Sequence, residues 1–139
     1  MPFTRISLRN GRSADYLQAV SDALHEALVE AFEVPEDDRF QVIEQLEPEA
    51  FVYDRHYLAR HGRSGNQVLF QITAGRERSD STRVAFYACL LEKLQQAVGL
   101  HADDLMVIIT TNRLAEWSFS AGKPATAMTL SAKTEIEEP

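Results

Sequence analysis

The chain has 139 residues, 45% apolar and 25% charged, with a formal net charge of −7 and a pI near 5.0. That length suits one hydrophobic core rather than two, the composition argues against general disorder, and the acidic balance argues against a nucleic-acid partner. No apolar run approaches the roughly 20 residues of a membrane span. The opening residues lack the apolar stretch of a secretory signal, and the single cysteine, Cys89, cannot close an intrachain disulfide. A reducing, cytoplasmic setting is therefore expected.

In chain order, the residues from Phe3 to Leu8 read as a short strand. Residues 14–32 follow as an amphipathic helix, with Leu17, Val20, Leu24, Leu28 and Ala31 at helical spacing and Ser13 as N-cap. Arg39 to Gln45 is a second strand. Residues 46–66, rich in turn-forming and charged types, connect it to a third at Val68–Ala74. Residues 80–98 form a second helix whose stripe is read as Val84, Tyr87, Leu91, Leu94 and Val98, with Ser79 or Ser81 at its start and Gly99 at C′. A fourth strand spans Leu105 to Thr111, and residues 113–139 form a C-terminal tail, whose end after Leu130 is expected to be exposed.

The two halves repeat at an offset of 66. Asp37 and Asp38 fall on Asp103 and Asp104, Ile43 on Ile109, Val34 on Leu100 and Val42 on Ile108. The prediction is one α+β domain built of two β-α-β repeats, about 2–45 and 68–111, with both helices on one face of a four-stranded sheet. Leu69, Met106 and Ile108 put apolar side chains on the other face as well, and a sheet apolar on both sides needs both covered. Either another subunit supplies the cover, giving a homo-oligomer, or segments 46–66 and 113–139 fold across it.

Several short motifs lie on this frame: Met1-Pro2 at the head, Val34-Pro35 and Asp38-Arg39-Phe40-Gln41 at the second strand, Ala74-Gly75-Arg76-Glu77-Arg78 after the third, and Trp117-Ser118-Phe119 near the end. In this order and placement the chain resembles the tautomerase superfamily, most closely its malonate semialdehyde decarboxylase-like group. The resemblance implies a trimer, loss of Met1, and a free secondary amine on Pro2 as the working group at the start of the first strand.

It also implies roles. Asp38 aligns with the acidic residue beside the proline, and a carboxylate there favours the cationic amine. The alternative reading of Asp38 is a turn residue before a strand, like Asp104, although only the first copy is followed by Arg-Phe-Gln. Arg76 and Arg78 would hold a substrate carboxylate through bidentate guanidinium contacts. Counting from the third strand makes Arg76 the second arginine of the family pair, whereas counting back from the helix makes it the first. Their alternative is a solvated cluster paired with Asp80. Trp117 and Phe119 match an aromatic wall around the substrate, or else simple packing.

The implied activity is cofactor-independent decarboxylation of a small β-oxo acid. An enol–keto tautomerase or a hydratase in the same pocket, or a non-catalytic trimeric binding protein, are the alternatives. No metal is implied. His56 and His61, five residues apart, lack a compact ligand set, and His25 and His101 have no evident partner. Cys89 reads as a small core residue. Arg63-Ser64-Gly65-Asn66 is a loop without the strand-and-helix context of a phosphate cradle.

Overall fold

The computed structural model describes residues 1–127. Four strands and two long helices alternate: β1 (Pro2–Arg9), α1 (Ala14–Ala31), β2 (Gln41–Leu46), β3 (Val68–Ala74), α2 (Asp80–Val98) and β4 (Leu105–Thr111). The sheet order is β2-β1-β3-β4. β1 runs parallel to β2 and β3 to β4, while β1 and β3 meet antiparallel along the pseudo-twofold axis. The elements match the sequence prediction to within about two residues at each end.

The duplication extends to the helix ends. Ser13 and Ser79 each accept the backbone N–H three residues on. At the other end Val34 N–H donates to the Leu28 carbonyl at 3.2 Å, and Leu100 N–H to Leu94 at 3.4 Å, the same closing bond at an offset of 66. Gly99 takes the left-handed turn in the second half at φ 66°. Its counterpart in the first half is Glu33, at φ 58°. A side chain there costs on the order of 1 kcal/mol relative to glycine, so Glu33 is held in place by something else, described below.

One face of the sheet carries the core. Ile6, Leu8, Val68, Phe70 and Ile72 pack against Val20, Leu24, Leu28, Phe86, Leu90 and Leu94 of the helices. The α1 stripe lies as its spacing predicts. That of α2 does so only in part: Leu94 is buried as predicted, but Phe86 and Leu90 are buried in place of Val84 and Tyr87, which are 65% and 38% exposed. Two apolar strips run along α2, and the packed one meets the ring of Phe32, whose centroid is 4.9 Å from that of Phe86.

The opposite face is mixed rather than apolar throughout. Register places Arg5 beside Val42, and Ser7 beside Glu44; Ser7 donates to Glu44 at 2.7 Å and Arg5 to the same carboxylate at 3.4 Å. Apolar exposure concentrates at Val42, Met106 and Ile108. Segment 46–66 covers only the far end, where Phe51 and Ala59 are buried and the Arg9 guanidinium lies 4.8 Å over the Tyr53 ring. The part of the C-terminal tail after Ala127 lies outside the described residues. Among the described residues no helix is long and apolar enough to cross a membrane.

Candidate active site

The start of β1, the ends of β3 and β4 and the approach to β2 converge at one edge of the sheet. Pro2 is buried and in register with Ala74, and the ladder continues one residue outward, Gly75 N–H donating to the Met1 carbonyl at 2.9 Å. The amine of Met1 lies 3.3 Å from Asp38 Oδ2, with the aspartate side chain only 12% exposed. A Cβ on Gly75 would come within 3.2 Å of Trp117 Nε1 and 3.6 Å of Met1 Cβ. Glycine keeps this floor low, and the Met1 side chain lies on it against the indole.

The repeat shows what is special about Asp38. Its counterpart Asp104 is buried and fully used, accepting the Ser64 N–H at 2.7 Å and the Ser64 hydroxyl at 2.6 Å. Asp38 instead faces the chain's first amine. Its neighbours serve the fold: Arg39 pairs with Asp22 of α1 at 2.8 Å, and the Gln41 side chain takes up the Ser21 hydroxyl and carbonyl.

The two arginines separate sharply. Arg76 is exposed and paired with Glu33 at 2.6 Å, which explains why a glutamate is kept in the left-handed turn. Asp80, proposed from the sequence as partner to the arginine cluster, binds Arg83 instead. Arg78 is buried. Its Nε donates to the Phe32 carbonyl at 3.2 Å, its Nη1 to the Arg76 carbonyl at 3.0 Å, and its guanidinium lies 4.4 Å over the Phe32 ring. Nη2 is buried without a partner among the described residues. Burial, then the neighbouring Arg76 charge, pushes the Arg78 pKa down, while Glu33 and Asp38 pull it back up. A guanidinium still keeps its charge, so Arg78 is a desolvated cation with one nitrogen, Nη2, left unused. That is the electrostatic complement of a carboxylate.

Trp117 and Phe119 come from the segment after β4. The indole N–H donates to Asn112 Oδ1 at 2.6 Å, the Trp117 and Phe119 rings stack at 5.4 Å, and Phe119 meets Phe40 at 5.5 Å. Phe40 therefore completes an aromatic wall that joins the C-terminal segment to the chain just after Asp38. Phe40, Gly75 and Asn112 were not singled out from the sequence as site residues; Phe40 was visible only within the Asp38–Gln41 motif. A 630 Å³ cleft lined by residues including Gly75, Arg76, Asn112 and Arg113, and a 250 Å³ cleft lined by Phe3, Thr73, Asn112, Glu116 and Trp117, share Asn112 and Glu116. Neither takes in Pro2 or Asp38, which lie beneath Met1.

His25, expected to lack a partner, is buried, and its Nε2 lies 2.7 Å from the Glu36 carbonyl. It ties α1 to the segment that carries Asp38. His25→Leu should remove this bond and lower stability by about 0.5–1.5 kcal/mol in urea denaturation. The other three histidines are exposed, and no group of three His, Cys, Asp or Glu among the described residues could hold a metal ion. Cys89 is partly buried, with its thiol 3.6 Å from Glu30; burial, then the Glu30 charge, raises its pKa. It sits on α2, away from the cluster around Pro2.

Comparison with known proteins accords with the fold. Two family models, both described as tautomerase enzyme, match residues 2–59 and 38–120. Probable tautomerase YusQ of Bacillus subtilis (strain 168) is 34% identical over 123 residues, 88% of this chain and 96% of that protein. A malonate semialdehyde decarboxylase, solved to explain its decarboxylase and hydratase activities, superposes with a TM-score of 0.84 at 34% identity, covering 93% of this chain and 98% of that one. A fused 4-OT, solved as a symmetric trimer, shares the fold with a TM-score of 0.73 at 15% identity, over 91% and 98%.

Proposed function

The chain belongs to the tautomerase superfamily, and we propose that it is a cofactor-independent decarboxylase of a small β-oxo acid such as malonate semialdehyde, working through the Pro2 amine. The observation that carries this reading is the buried Arg78, its unused Nη2 in the same cluster as Asp38 and the start of β1. The similarity to malonate semialdehyde decarboxylase supports it.

In this reading Met1 is removed, which converts the Pro2 nitrogen from an amide into a secondary amine. It also clears the space over Gly75 and against Trp117 that the methionine side chain fills. The substrate takes that space. Its carboxylate bonds Arg78, with Arg76 at the rim, and its carbonyl oxygen faces the Pro2 ammonium, whose charge Asp38 favours. The C–C bond to the carboxylate breaks, its electron pair moves into an enolate stabilised by the ammonium, and CO₂ departs. The enolate carbon then takes one proton from the ammonium or from water, giving acetaldehyde, and the amine regains its proton from solvent. A Schiff base between Pro2 and the aldehyde, formed with loss of water and hydrolysed after CO₂ leaves, would serve the same electron-sink role. Phe40 and Phe119 of the aromatic wall are 49% and 36% exposed in the single chain; covered by substrate or a neighbouring subunit, the wall would lower water and strengthen each of these charges.

The subunit cover missing from Val42, Met106 and Ile108 supports a homo-oligomer, and the trimeric relative of this fold supports three copies. The second reading, an enol–keto tautomerase, is favoured by the similarity to YusQ; there Pro2 would act as a neutral base. The test is to supply malonate semialdehyde and, separately, the enol of an arylpyruvate. Acetaldehyde release well above any ketonisation supports the decarboxylase; the reverse supports the tautomerase; neither activity overturns both.

A further inference from the structure

The far end of β1 holds a second cluster of positive charge. β1 is 8 residues long, which at about 3.3 Å per residue puts Arg9 on the order of 20 Å from Pro2. There Arg9, Arg55 and Arg63, with Tyr53, Ser64 and Gly65, line a cleft of 420 Å³, within the size range of small-ligand sites. Elsewhere Arg5, Arg39, Arg76, Arg83, Lys93 and Arg113 each have a carboxylate within 4.0 Å. These three, like the scattered Arg12, Arg60, Arg78 and Lys123, have none among the described residues, in a chain with 21 acidic side chains against 14 basic, and they alone share one cleft.

The loop that brings them together is fixed from within. Tyr53 donates its hydroxyl to the Ser64 carbonyl at 2.5 Å, and Arg63 N–H donates to the Arg55 carbonyl at 2.8 Å. Ser64 is anchored in turn on buried Asp104. Two carboxylates lie nearby: Asp104 is bonded to Ser64, and Asp54, whose Oδ1 accepts the N–H groups of His56 and Tyr57, offsets part of the Arg63 charge without forming an ion pair with it. Arg9 lies flat over Tyr53, with Nη2 on the Phe51 carbonyl and Nε buried without a partner. Gly65 leaves room for it, since a Cβ there would come within 3.3 Å of Arg9 Nη1. Arg63 uses one nitrogen on the Asp54 carbonyl, and the Arg55 side chain makes no hydrogen bond or ion pair with the described residues.

Three guanidinium groups held close together repel one another, and a loop braced to hold them so is complementary to a multivalent anion. We propose that this cleft is a second binding site, separate from the one around Pro2, for a small polyanion bearing two or more carboxylate or phosphate groups. The binding groups are side chains, not a backbone phosphate cradle. Because the cleft is formed by residues 53–65 and the end of β1, at the end already covered by segment 46–66, it does not depend on the proposed catalytic chemistry.

Calorimetry on the full chain tests it, with citrate and pyrophosphate as probes at matched ionic strength. Saturable binding of either, one equivalent per chain, is expected; citrate alone would mark a carboxylate site and pyrophosphate alone a phosphate site. Arg55→Gln, which removes no internal bond, should weaken binding about tenfold or more, and Arg78→Gln should leave it unchanged. Absence of saturation with both probes, an affinity unmoved by Arg55→Gln, or loss of binding in Arg78→Gln would each overturn the proposal.

Discussion

Protein that retains Met1 is expected to turn over malonate semialdehyde about a hundred- to ten-thousandfold more slowly than protein beginning at Pro2, the range typical of losing a positioned acid or base. Two effects act together. An acylated proline nitrogen carries no proton to give, no lone pair to take one and no charge to polarise a carbonyl. The methionine side chain also stands on Gly75 against Trp117, where the substrate would sit. Its own amine, 3.3 Å from Asp38, is a primary amine displaced by one residue and cannot substitute at the same point. Intact mass of each preparation, paired with acetaldehyde release, measures the difference.

Arg78→Gln is expected to lower turnover by about a hundred- to a thousandfold, comparable to the loss of one preorganised charged donor. The corresponding Arg76→Gln change should cost about tenfold or less, since an exposed guanidinium already paired with Glu33 contributes little. The asymmetry follows from burial. Glutamine can still reach one carbonyl near Phe32, so the fold should survive, but it brings no charge to the pocket. Steady-state kinetics on both variants, with circular dichroism to confirm folding, distinguishes this ranking from equal contributions. Equal losses would mean that the arginines act as a pair at the rim.

How much of this was legible in the sequence depends on distance along the chain. The duplicated frame was, because helix caps, strand alternation and the Asp-Asp turns are local signals that recur at a fixed offset. The shape of the C-terminal turn in the first repeat was not: Glu33 does not announce a left-handed conformation as Gly99 does, and its reason is an ion pair with Arg76, 43 residues away. The α2 stripe was misread because Val84 and Tyr87 offer as good a helical spacing as Phe86 and Leu90. Packing in the core shared with the sheet and α1 decides between them.

The site divides the same way. Pro2, Asp38 and the aromatic residues could be singled out from motifs, but not the order of the arginines. Arg76 and Arg78 are two residues apart in one loop, and what buries the second is a ring and a carbonyl at the end of α1. Sequence counting favoured Arg76; packing favours Arg78. Likewise Arg39 and Gln41, which made the first repeat look functional beside the second, brace α1, leaving Asp38 and Phe40 to face the cluster. His25 looked partnerless because its acceptor is a backbone carbonyl, which no side-chain pattern reveals.

Titration of the Pro2 nitrogen by ¹⁵N NMR, in protein freed of Met1 and in its Asp38→Asn variant, probes the proposed chemistry at its source. A carboxylate beside the amine favours the charged form, so the wild-type midpoint should lie above that of the variant. Equal midpoints, or a lower one in the wild type, would contradict a cationic Pro2 held by Asp38.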